Sequence, residues 1–225
     1  MQRTESIEDY LRAIYQLERQ TSEPVSTSAL AERLGISSAS VTGMVKRLAE
    51  AGLVTHEPYA GVIVTDAGRR VALDVVRHHR LIETFLARTL GLKWDEVHAE
   101  AHRLEHHISE VLEARMDEVL GHPQRDPHGS AIPPKDGEFL EPSYESLADV
   151  RAGARVVIRE VDDDDPERLR YLDQLGLRPD VYLVVRDVAP FSGPITVDVG
   201  ENGDKTTSPA VGRELARLIA VEVVG

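Results

Sequence analysis

Residues 26–65 read STSALAERLGISSASVTGMVKRLAEAGLVTHEPYAGVIVT, and this stretch decides the fold of the N-terminal third. Residues 26–34 predict a short helix, and Gly35 suits the left-handed position that follows a helix. Residues 38–51 predict a second helix, which has an apolar face and ends at Gly52. The tight connection between them predicts a helix-turn-helix.

The flanking residues extend this pattern. Residues 53–56 and 62–65, joined by a turn at Pro58–Gly61, predict a short hairpin. An apolar helical period runs from Ile7 to about Glu18, and a long helix is predicted over 66–90. A helix, a helix-turn-helix and a hairpin in this order are typical of a winged helix-turn-helix, assigned to residues 1–72.

The predicted helix 38–51 has an outer face of small and hydroxylated side chains, which would let it approach a DNA major groove closely. The alternative is a winged helix that contacts only protein, but this face lacks the apolar residues that a protein interface needs. The candidate DNA-binding residues are Thr27, Ser28, Ser37, Ser38, Ala39, Ser40, Thr42, Gly43, Lys46 and Arg47.

Composition narrows the class of protein. The 225 residues carry a net charge of −13, yet residues 1–74 are nearly neutral, with 8 basic and 10 acidic side chains. There is no cysteine, which excludes disulfides and thiolate metal sites.

No apolar run of membrane-spanning length and no signal peptide stand out, so we expect a cytoplasmic protein without a membrane partner. No catalytic motif is present, so we expect neither catalytic residues nor a small organic substrate.

The remainder of the chain predicts two further domains and an α+β multidomain protein. Helices at about 66–90 and 94–120 predict an all-α domain over 73–140. Long amphipathic helices of this kind can pack together or across a dimer axis, and we expect a dimerisation domain and a homodimer. Residues 121–142 contain five prolines and read as an ordered or semi-rigid connector. After a linker at 141–150, strand-like runs predict a small β-barrel over 151–225.

Histidine clusters in the middle of the chain, where six of the nine lie between His78 and His107. On a continuous helix over 94–120, one strip would hold His98, His102, Glu105 and His106. His79 and Glu83, four residues apart, share a face of the preceding helix. Imidazoles and carboxylates in this pattern predict a divalent-cation site; the alternative is a polar flank of hydrogen-bonded histidines.

Asp9 is open to two interpretations. It lies opposite the apolar face of the first helix and could reach another element. By spacing alone, Ser6 and Asp9 favour a capping box, in which Asp9 binds the start of its own helix.

Several motifs, in order over residues 5–133, resemble the diphtheria toxin repressor family of metal-dependent transcriptional regulators. They are SIEDYL at 6–11, AERL at 31–34, SVT at 40–42, GLV at 52–54, HHRL at 78–81 with Glu83, VHAEAH at 97–102 with Glu105 and His106, and PHGSAIP at 127–133. The C-terminal part resembles the SH3-like, FeoA-type domain of longer members.

The resemblance implies two metal sites. The primary site would use Asp9, His102, Glu105 and His106. The ancillary site would use His79, Glu83 and His98, completed by C-terminal ligands for which Asp164 and Glu167 fit within a residue or two. The alternative for residues 162–165 is a solvated acidic loop.

Two departures from the family bear on the metal. Iron-responsive members carry methionine and cysteine at the positions of Asp9 and His102, whereas manganese regulators carry aspartate and glutamate. Arg12 stands where manganese regulators have a glutamate ligand, so their two-metal cluster cannot be copied whole. Loss of sulfur favours Mn²⁺ over Fe²⁺, and Co²⁺, Ni²⁺, Zn²⁺ or Cd²⁺ could substitute.

The implied function is repression of metal-uptake genes. Metal shared between the first helix and the dimerisation helix would fix the dimer geometry for a palindromic operator. Two alternatives are a winged-helix regulator that senses a non-metal ligand and a metal-handling protein without operator specificity.

Overall fold

The computed structural model describes residues 3–21, 23–57, 60–136, 138–200 and 207–224. These residues form two compact units. The first falls within Met1–His78 together with Glu105–Ile108, and the second within His79–Leu104 together with Ser109–Gly225. The segment Glu105–Ile108 therefore belongs to the first unit, although the chain on both sides of it belongs to the second.

The first unit contains the predicted winged helix-turn-helix. Its elements are α1 (Glu5–Thr21), α2 (Thr27–Leu34), α3 (Ser38–Glu50), β1 (Val54–Glu57), β2 (Gly61–Val64) and the start of α4 (Asp66–Leu90). Ser26 and Ser37 cap α2 and α3 by accepting hydrogen bonds from Ala29 N and Ser40 N. Strands β1 and β2 pair antiparallel. Of the predicted hairpin turn, Pro58 and Tyr59 lie outside the described residues.

A single apolar cluster holds these elements together. Leu11 and Ile14 of α1 are fully buried against Leu30 of α2 and Val41 and Leu48 of α3. The start of α4 lies so close to this core that a Cβ on Gly68 would be 2.0 Å from the carbonyl oxygen of Leu53. Helix α3, which carries the predicted DNA-reading face, and the first helix α1 are thus parts of one packed body.

The predicted helix over 94–120 is wrong, because the chain forms two helices there. They are α5 (Val97–Leu104) and α6 (Glu110–Val119). Ser109 has an extended backbone and accepts a hydrogen bond from Leu112 N, so it caps a new helix rather than continuing the old one. The strip that a continuous helix would form is therefore divided, with Glu105 and His106 in the turn after α5.

The C-terminal part of the second unit is a small antiparallel sheet domain. Its described strands are β3 (Glu145–Ser146), β4 (Arg155–Val161), β5 (Tyr182–Val188), β6 (Ile195–Val199), β7 (Ala210–Val211) and β8 (Ile219–Val223), in the spatial order β3-β8-β4-β5-β6-β7. Helix α7 (Pro166–Gln174) packs on the sheet through Leu169 and Leu172, and α8 (Arg213–Ala216) precedes β8. The predicted linker at 141–150 includes β3 and a 3-10 turn, Leu147–Asp149.

The proline-rich segment is ordered by specific contacts within the second unit. The partly buried Arg80 donates to the carbonyl oxygen of Ala131 (2.6 Å) and lies 2.7 Å from Glu141 Oε1. Gly129, at φ +94°, lies so close to β4 that a Cβ there would be 2.0 Å from the carbonyl oxygen of Arg159. No helix in the described ranges has the length and apolar character of a membrane span.

Candidate metal centres

Three predicted ligands meet inside the first unit. His106 Nε2 lies 3.1 Å from Asp9 Oδ1 and 3.4 Å from Glu105 Oε1. The Glu105 side chain is fully buried, and that of His106 is 6% exposed. We call Asp9, Glu105 and His106 the primary cluster.

Neighbouring charges hold the primary cluster together. Glu8 Oε2 lies 2.7 Å from His106 Nδ1, and Arg12 Nη1 donates to Glu105 Oε2 at 2.8 Å. The hydrogen bonds to Asp9 and Glu8 raise the pKa of His106 to about 10. Burial works against the ionisation of Glu8, but the hydrogen bond to His106 and the charge of Arg3 outweigh it and keep the Glu8 pKa below its usual value. In the metal-free protein the imidazole is thus an imidazolium between carboxylates.

The capping-box interpretation of Asp9 is wrong. Helix α1 begins at Glu5, so Ser6 is already helical and cannot be its N-cap. The carboxylate of Asp9 instead reaches the His106 ring. His102 lies on α5 in the second unit and is exposed; its role as a fourth ligand stays a prediction.

A second group of ligands, all in the second unit, contains three of the predicted ancillary residues. Glu83 Oε1 lies 2.9 Å from His79 Nε2 and 3.3 Å from His98 Nδ1. His98 Nδ1 lies 3.2 Å from Asp163 Oδ2. Burial lowers the pKa of His98, but the hydrogen bonds to Asp163 and Glu83 outweigh it and raise it to about 10. We call His79, Glu83, His98 and Asp163 the ancillary cluster.

The register of the C-terminal ligand differs from the expectation. The structure brings Asp163 to the ancillary cluster, whereas Asp164 and Glu167 are exposed and outside it. The next residue, Asp165, caps α7 by accepting hydrogen bonds from the backbone N–H groups of Glu167 and Arg168. Four consecutive aspartates differ in role only through this local geometry, so sequence spacing alone does not separate them.

Sequence reasoning missed a third group, formed by Glu83, Asp126 and His128. His128 Nε2 lies 2.7 Å from the carbonyl oxygen of Trp94, a contact that requires a proton on Nε2 and leaves Nδ1 with the lone pair in the neutral ring. Asp126 Oδ1 accepts hydrogen bonds from the backbone N–H groups of His128 and Ser130. We call these three residues the buried trio. The feature of the sequence that points to it is the pair Asp126 and His128, two residues apart.

The trio contains unsatisfied polar atoms at its centre. Within the described residues, Glu83 Oε2, Asp126 Oδ2 and His128 Nδ1 are buried and have no hydrogen-bond partner. Buried polar atoms are nearly always paired, so three together point to a missing ligand. Burial and the charge of Glu83 raise the pKa of Asp126 to about 7.

These donor sets fit a divalent cation. Every group consists of carboxylate oxygens and imidazole nitrogens, and the chain has no cysteine. Such donors suit borderline and hard ions such as Mn²⁺ and Fe²⁺. The two carboxylate oxygens of Glu83 face different groups, since Oε1 lies near His79 and Oε2 lies 3.6 Å from His128 Nδ1.

The first unit also presents the predicted DNA-reading face. On α3, the side chains of Ser38, Ala39, Ser40, Thr42, Lys46 and Arg47 are exposed, as is Gly43. Ser37 and Ser28 are exposed before α3 and on α2, and Thr27 is half-buried. A groove runs between this face and the start of α1, and it is lined by residues that include Asp9, Tyr10, Ser40 and Arg47.

Comparison with protein families matches nearly the whole chain. Residues 2–62 match the model described as iron dependent repressor, N-terminal DNA binding domain. Residues 65–134 match the iron dependent repressor, metal binding and dimerisation domain, and residues 145–223 match the FeoA domain.

Individual repressors of known name or structure are also similar to this chain over nearly its whole length. The iron-dependent repressor IdeR of Mycobacterium tuberculosis is 34% identical over 98% of both chains. A solved manganese-dependent transcriptional repressor in complex with manganese has a TM-score of 0.89 and 41% identity, and the match covers 97% of this chain and all of that one. ScaR with bound Zn²⁺ has a TM-score of 0.81 and 30% identity over 97% of this chain and 99% of that one.

Proposed function

Since the chain belongs to the iron-dependent repressor family, whose members are metal-dependent DNA-binding repressors and not enzymes, we propose that it represses metal-uptake genes when Mn²⁺ occupies its metal sites. One observation carries this proposal: Asp9, Glu105 and His106 gather in the same compact unit as the recognition helix α3. A sensor of a non-metal ligand would not need this cluster. A metal-handling protein would not need the DNA-reading face.

The proposed primary site consists of Asp9, His102, Glu105 and His106. Three of them form the primary cluster, and His102 precedes Glu105 by three residues in the chain. The proposed ancillary site consists of His79, Glu83 and His98, with Asp163 in place of Asp164 and Glu167. The buried trio offers further donors, through the second oxygen of Glu83.

The residues of the primary cluster connect metal binding to DNA binding. Asp9 lies on α1, which shares a core with α3. Glu105 and His106 lie in the segment that joins α5 to α6, the helices of the dimerisation region. Once His106 has released its proton, a bound cation would supply the positive charge that offsets the repulsion between the carboxylates of Asp9 and Glu105. We infer that this fixes α1, and with it the angle of the recognition helix.

The proposed partner is a palindromic operator bound by a homodimer. A symmetric dimer presents two recognition helices, and these must enter major grooves about 34–36 Å apart. Several apolar side chains of the dimerisation region are exposed in the single chain, and they are Leu90, Leu104, Val111, Leu112 and Val119. A repressor acts where the chromosome is, so we place the protein in the cytoplasm.

Mn²⁺ is the proposed signal, with Fe²⁺ as the alternative. The sulfur-free donor set and the likeness to the manganese-dependent repressor favour Mn²⁺, whereas IdeR is named for iron. Zn²⁺ and Cd²⁺, the ions bound in solved ScaR structures, are expected to substitute in vitro, as are Co²⁺ and Ni²⁺.

The identity of the metal is tested by DNA binding at buffered free-metal concentrations. Chelator-stripped protein is titrated with Mn²⁺, Fe²⁺ or Zn²⁺ at fixed salt, against the promoter upstream of its own gene and those of nearby metal transporters. We expect specific binding only with metal, and with Mn²⁺ at a free concentration near that found in cells. Equal binding with and without metal contradicts the proposal.

A further inference from the structure

Glu8 lies beside the primary cluster, and each of its carboxylate oxygens has a partner. Oε2 lies 2.7 Å from Nδ1 of His106, and Oε1 accepts a hydrogen bond from Arg3 Nε at 2.9 Å. Arg3 in turn donates to Asp74 Oδ2 on α4 at 3.2 Å. The side chains of His106 and Glu8 are 6% and 13% exposed, so the contact between them is largely shielded from water. The contacts of Arg3 with Glu8 and Asp74 are exposed. These contacts form a chain of polar side chains that runs through Asp74, Arg3, Glu8 and His106. Its last member, His106, is a candidate metal ligand.

We propose that Glu8 is a positioning residue for the metal, and that it acts by fixing the ring of His106 with Nε2 turned toward Asp9 and Glu105. This inference rests on the proposed primary site. An imidazole has its two nitrogens on different edges of the ring, and the partner of one nitrogen decides which one keeps a proton. A carboxylate on Nδ1 retains the proton there and leaves Nε2 to coordinate.

The contacts of Glu8 distinguish this role from that of a ligand. Its oxygens are engaged by His106 and Arg3, whereas the oxygens of Asp9 and Glu105 face Nε2 of the same ring. A carboxylate behind a ligating histidine also raises the basicity of the ring, and loss of such a partner typically costs 10–100-fold in metal affinity.

Glu5 offers a matched control one turn earlier on α1. Its Oε1 lies 3.5 Å from Nε2 of the neighbouring His107, but both side chains are more than 60% exposed. Removal of the Glu5 charge changes the net charge and the helix in the same way as removal of the Glu8 charge. It leaves the contact with His106 intact.

The first test measures Mn²⁺ binding to the full-length protein by electron paramagnetic resonance. The variants are Glu8→Ala, Glu8→Gln and Glu5→Gln, with His106→Ala to identify the primary ion. We expect Glu8→Ala to lower the Mn²⁺ affinity of the primary site by about 10–100-fold. Glu8→Gln, which keeps an acceptor oxygen, should lose less of this affinity, and Glu5→Gln should bind Mn²⁺ as tightly as the wild type. Mn²⁺ binding at the ancillary cluster should be unchanged in all four variants. Unchanged binding there shows that the variant chain is folded.

The second test follows the ring itself by ¹⁵N NMR of histidine-labelled protein, before and after addition of Zn²⁺. In the wild type, Nδ1 of His106 should stay protonated, while Nε2 should release its proton to the solvent and bind the metal through its lone pair. In Glu8→Ala this preference should be lost. A role in folding alone would leave the ring nitrogens of the folded variant unchanged, so that result contradicts the inference.

The outcomes separate this inference from the proposed function. If His106→Ala binds as many Mn²⁺ ions as the wild type, the primary site itself is wrong. If His106→Ala loses one ion while Glu8→Ala stays within twofold of the wild-type affinity, the site stands and the positioning role is refuted.

Discussion

At Gly43 the recognition helix has no side chain, and a Cβ placed there would meet no protein atom within 4 Å. The protein's own packing therefore does not require glycine at this helical position. Glycine in a helix interior costs about 1 kcal/mol relative to alanine. This cost makes sense if a DNA base or backbone comes close to Gly43.

Gly43→Ala should consequently make the protein more stable and a weaker repressor. We expect the free energy of unfolding to rise by up to about 1 kcal/mol. Operator affinity should fall about tenfold, as expected for the loss of roughly one base contact. Thermal melting and DNA binding at fixed salt measure the two effects. Unchanged operator affinity would place the DNA contact elsewhere on the helix.

A second prediction at the residue scale concerns pH. His106 carries a proton because Asp9 and Glu8 raise its pKa to about 10, and Nε2 can bind a metal only after losing that proton. Metal binding at neutral pH should release about one proton at the primary cluster, and the apparent affinity should fall about tenfold per pH unit on acidification. Calorimetry in two buffers of different ionisation enthalpy measures the proton count. A count of zero at this cluster would contradict the prediction.

The same raised pKa affects the stability of the metal-free protein. The folded-state pKa lies above the ordinary value of 6.5. The contribution of His106 to stability is therefore fully present below pH 6.5 and is lost as the pH rises through about 10. His98 and His128, whose pKa values are also raised to about 10, act in the same direction.

At the scale of elements, the sequence predicts the winged helix-turn-helix well because its apolar periods and caps agree with the final packing. Ser26, Gly35 and Ser37 each have the conformation that their local sequence favours. The apolar spacing of residues 97–112 fits a continuous helix and so does not predict the break at residues 105–109. The break comes from Ser109, which caps the second helix.

The candidate ligands also divide into those that the sequence predicts and those that it does not. His79 and Glu83 are recognisable because they lie four residues apart on one helix. The grouping of His98 with them is implied by the family resemblance, since helical spacing places His98 with His102, Glu105 and His106. Asp163, Asp126 and His128 come from loops, whose geometry depends on contacts far apart in the chain, such as the close approach of Gly129 to Arg159. The contact of Glu8 with His106 is not predictable from the sequence, because nothing in the spacing of Glu8 distinguishes it from a solvated helix residue.

Gly129→Ala tests whether this loop contact builds the metal sites of the second unit. The new Cβ would collide with the carbonyl oxygen of Arg159 and force a backbone of φ +94° on alanine. We expect a loss of stability larger than the roughly 1–3 kcal/mol that backbone strain alone costs. Mn²⁺ binding should weaken at the ancillary cluster and the buried trio and stay unchanged at the primary cluster. Thermal melting and Mn²⁺ titration measure both.

Gly153→Ala is the matched control for this substitution. Gly153 has a similar φ of +89°, but a Cβ there would meet no atom within 4 Å. The control therefore has the backbone strain without the collision. If both variants lose Mn²⁺ equally, the loop contact has no specific role.

At the scale of the whole molecule, the exposed face of α6 predicts how two copies associate. Val111 and Val119 lie eight residues apart on one side of α6 and are 75% and 67% exposed. Charges at both positions, in Val111→Glu with Val119→Glu, should give a monomer in sedimentation velocity and should weaken operator binding. Leu140→Glu, at a site 94% exposed in the connector, is the control. A double variant that remains dimeric would assign the dimer interface to another surface.

The central claim is that metal at the primary cluster switches on DNA binding. It is tested most directly by operator binding of the wild type, Asp9→Ala and His106→Ala, each stripped of metal and then supplied with saturating Mn²⁺ at fixed salt. Glu5→Gln is the control on the same helix as Asp9. We expect Mn²⁺ to induce specific binding in the wild type and the control and to fail to do so in the two ligand variants. Metal-dependent binding that survives Asp9→Ala and His106→Ala would contradict it.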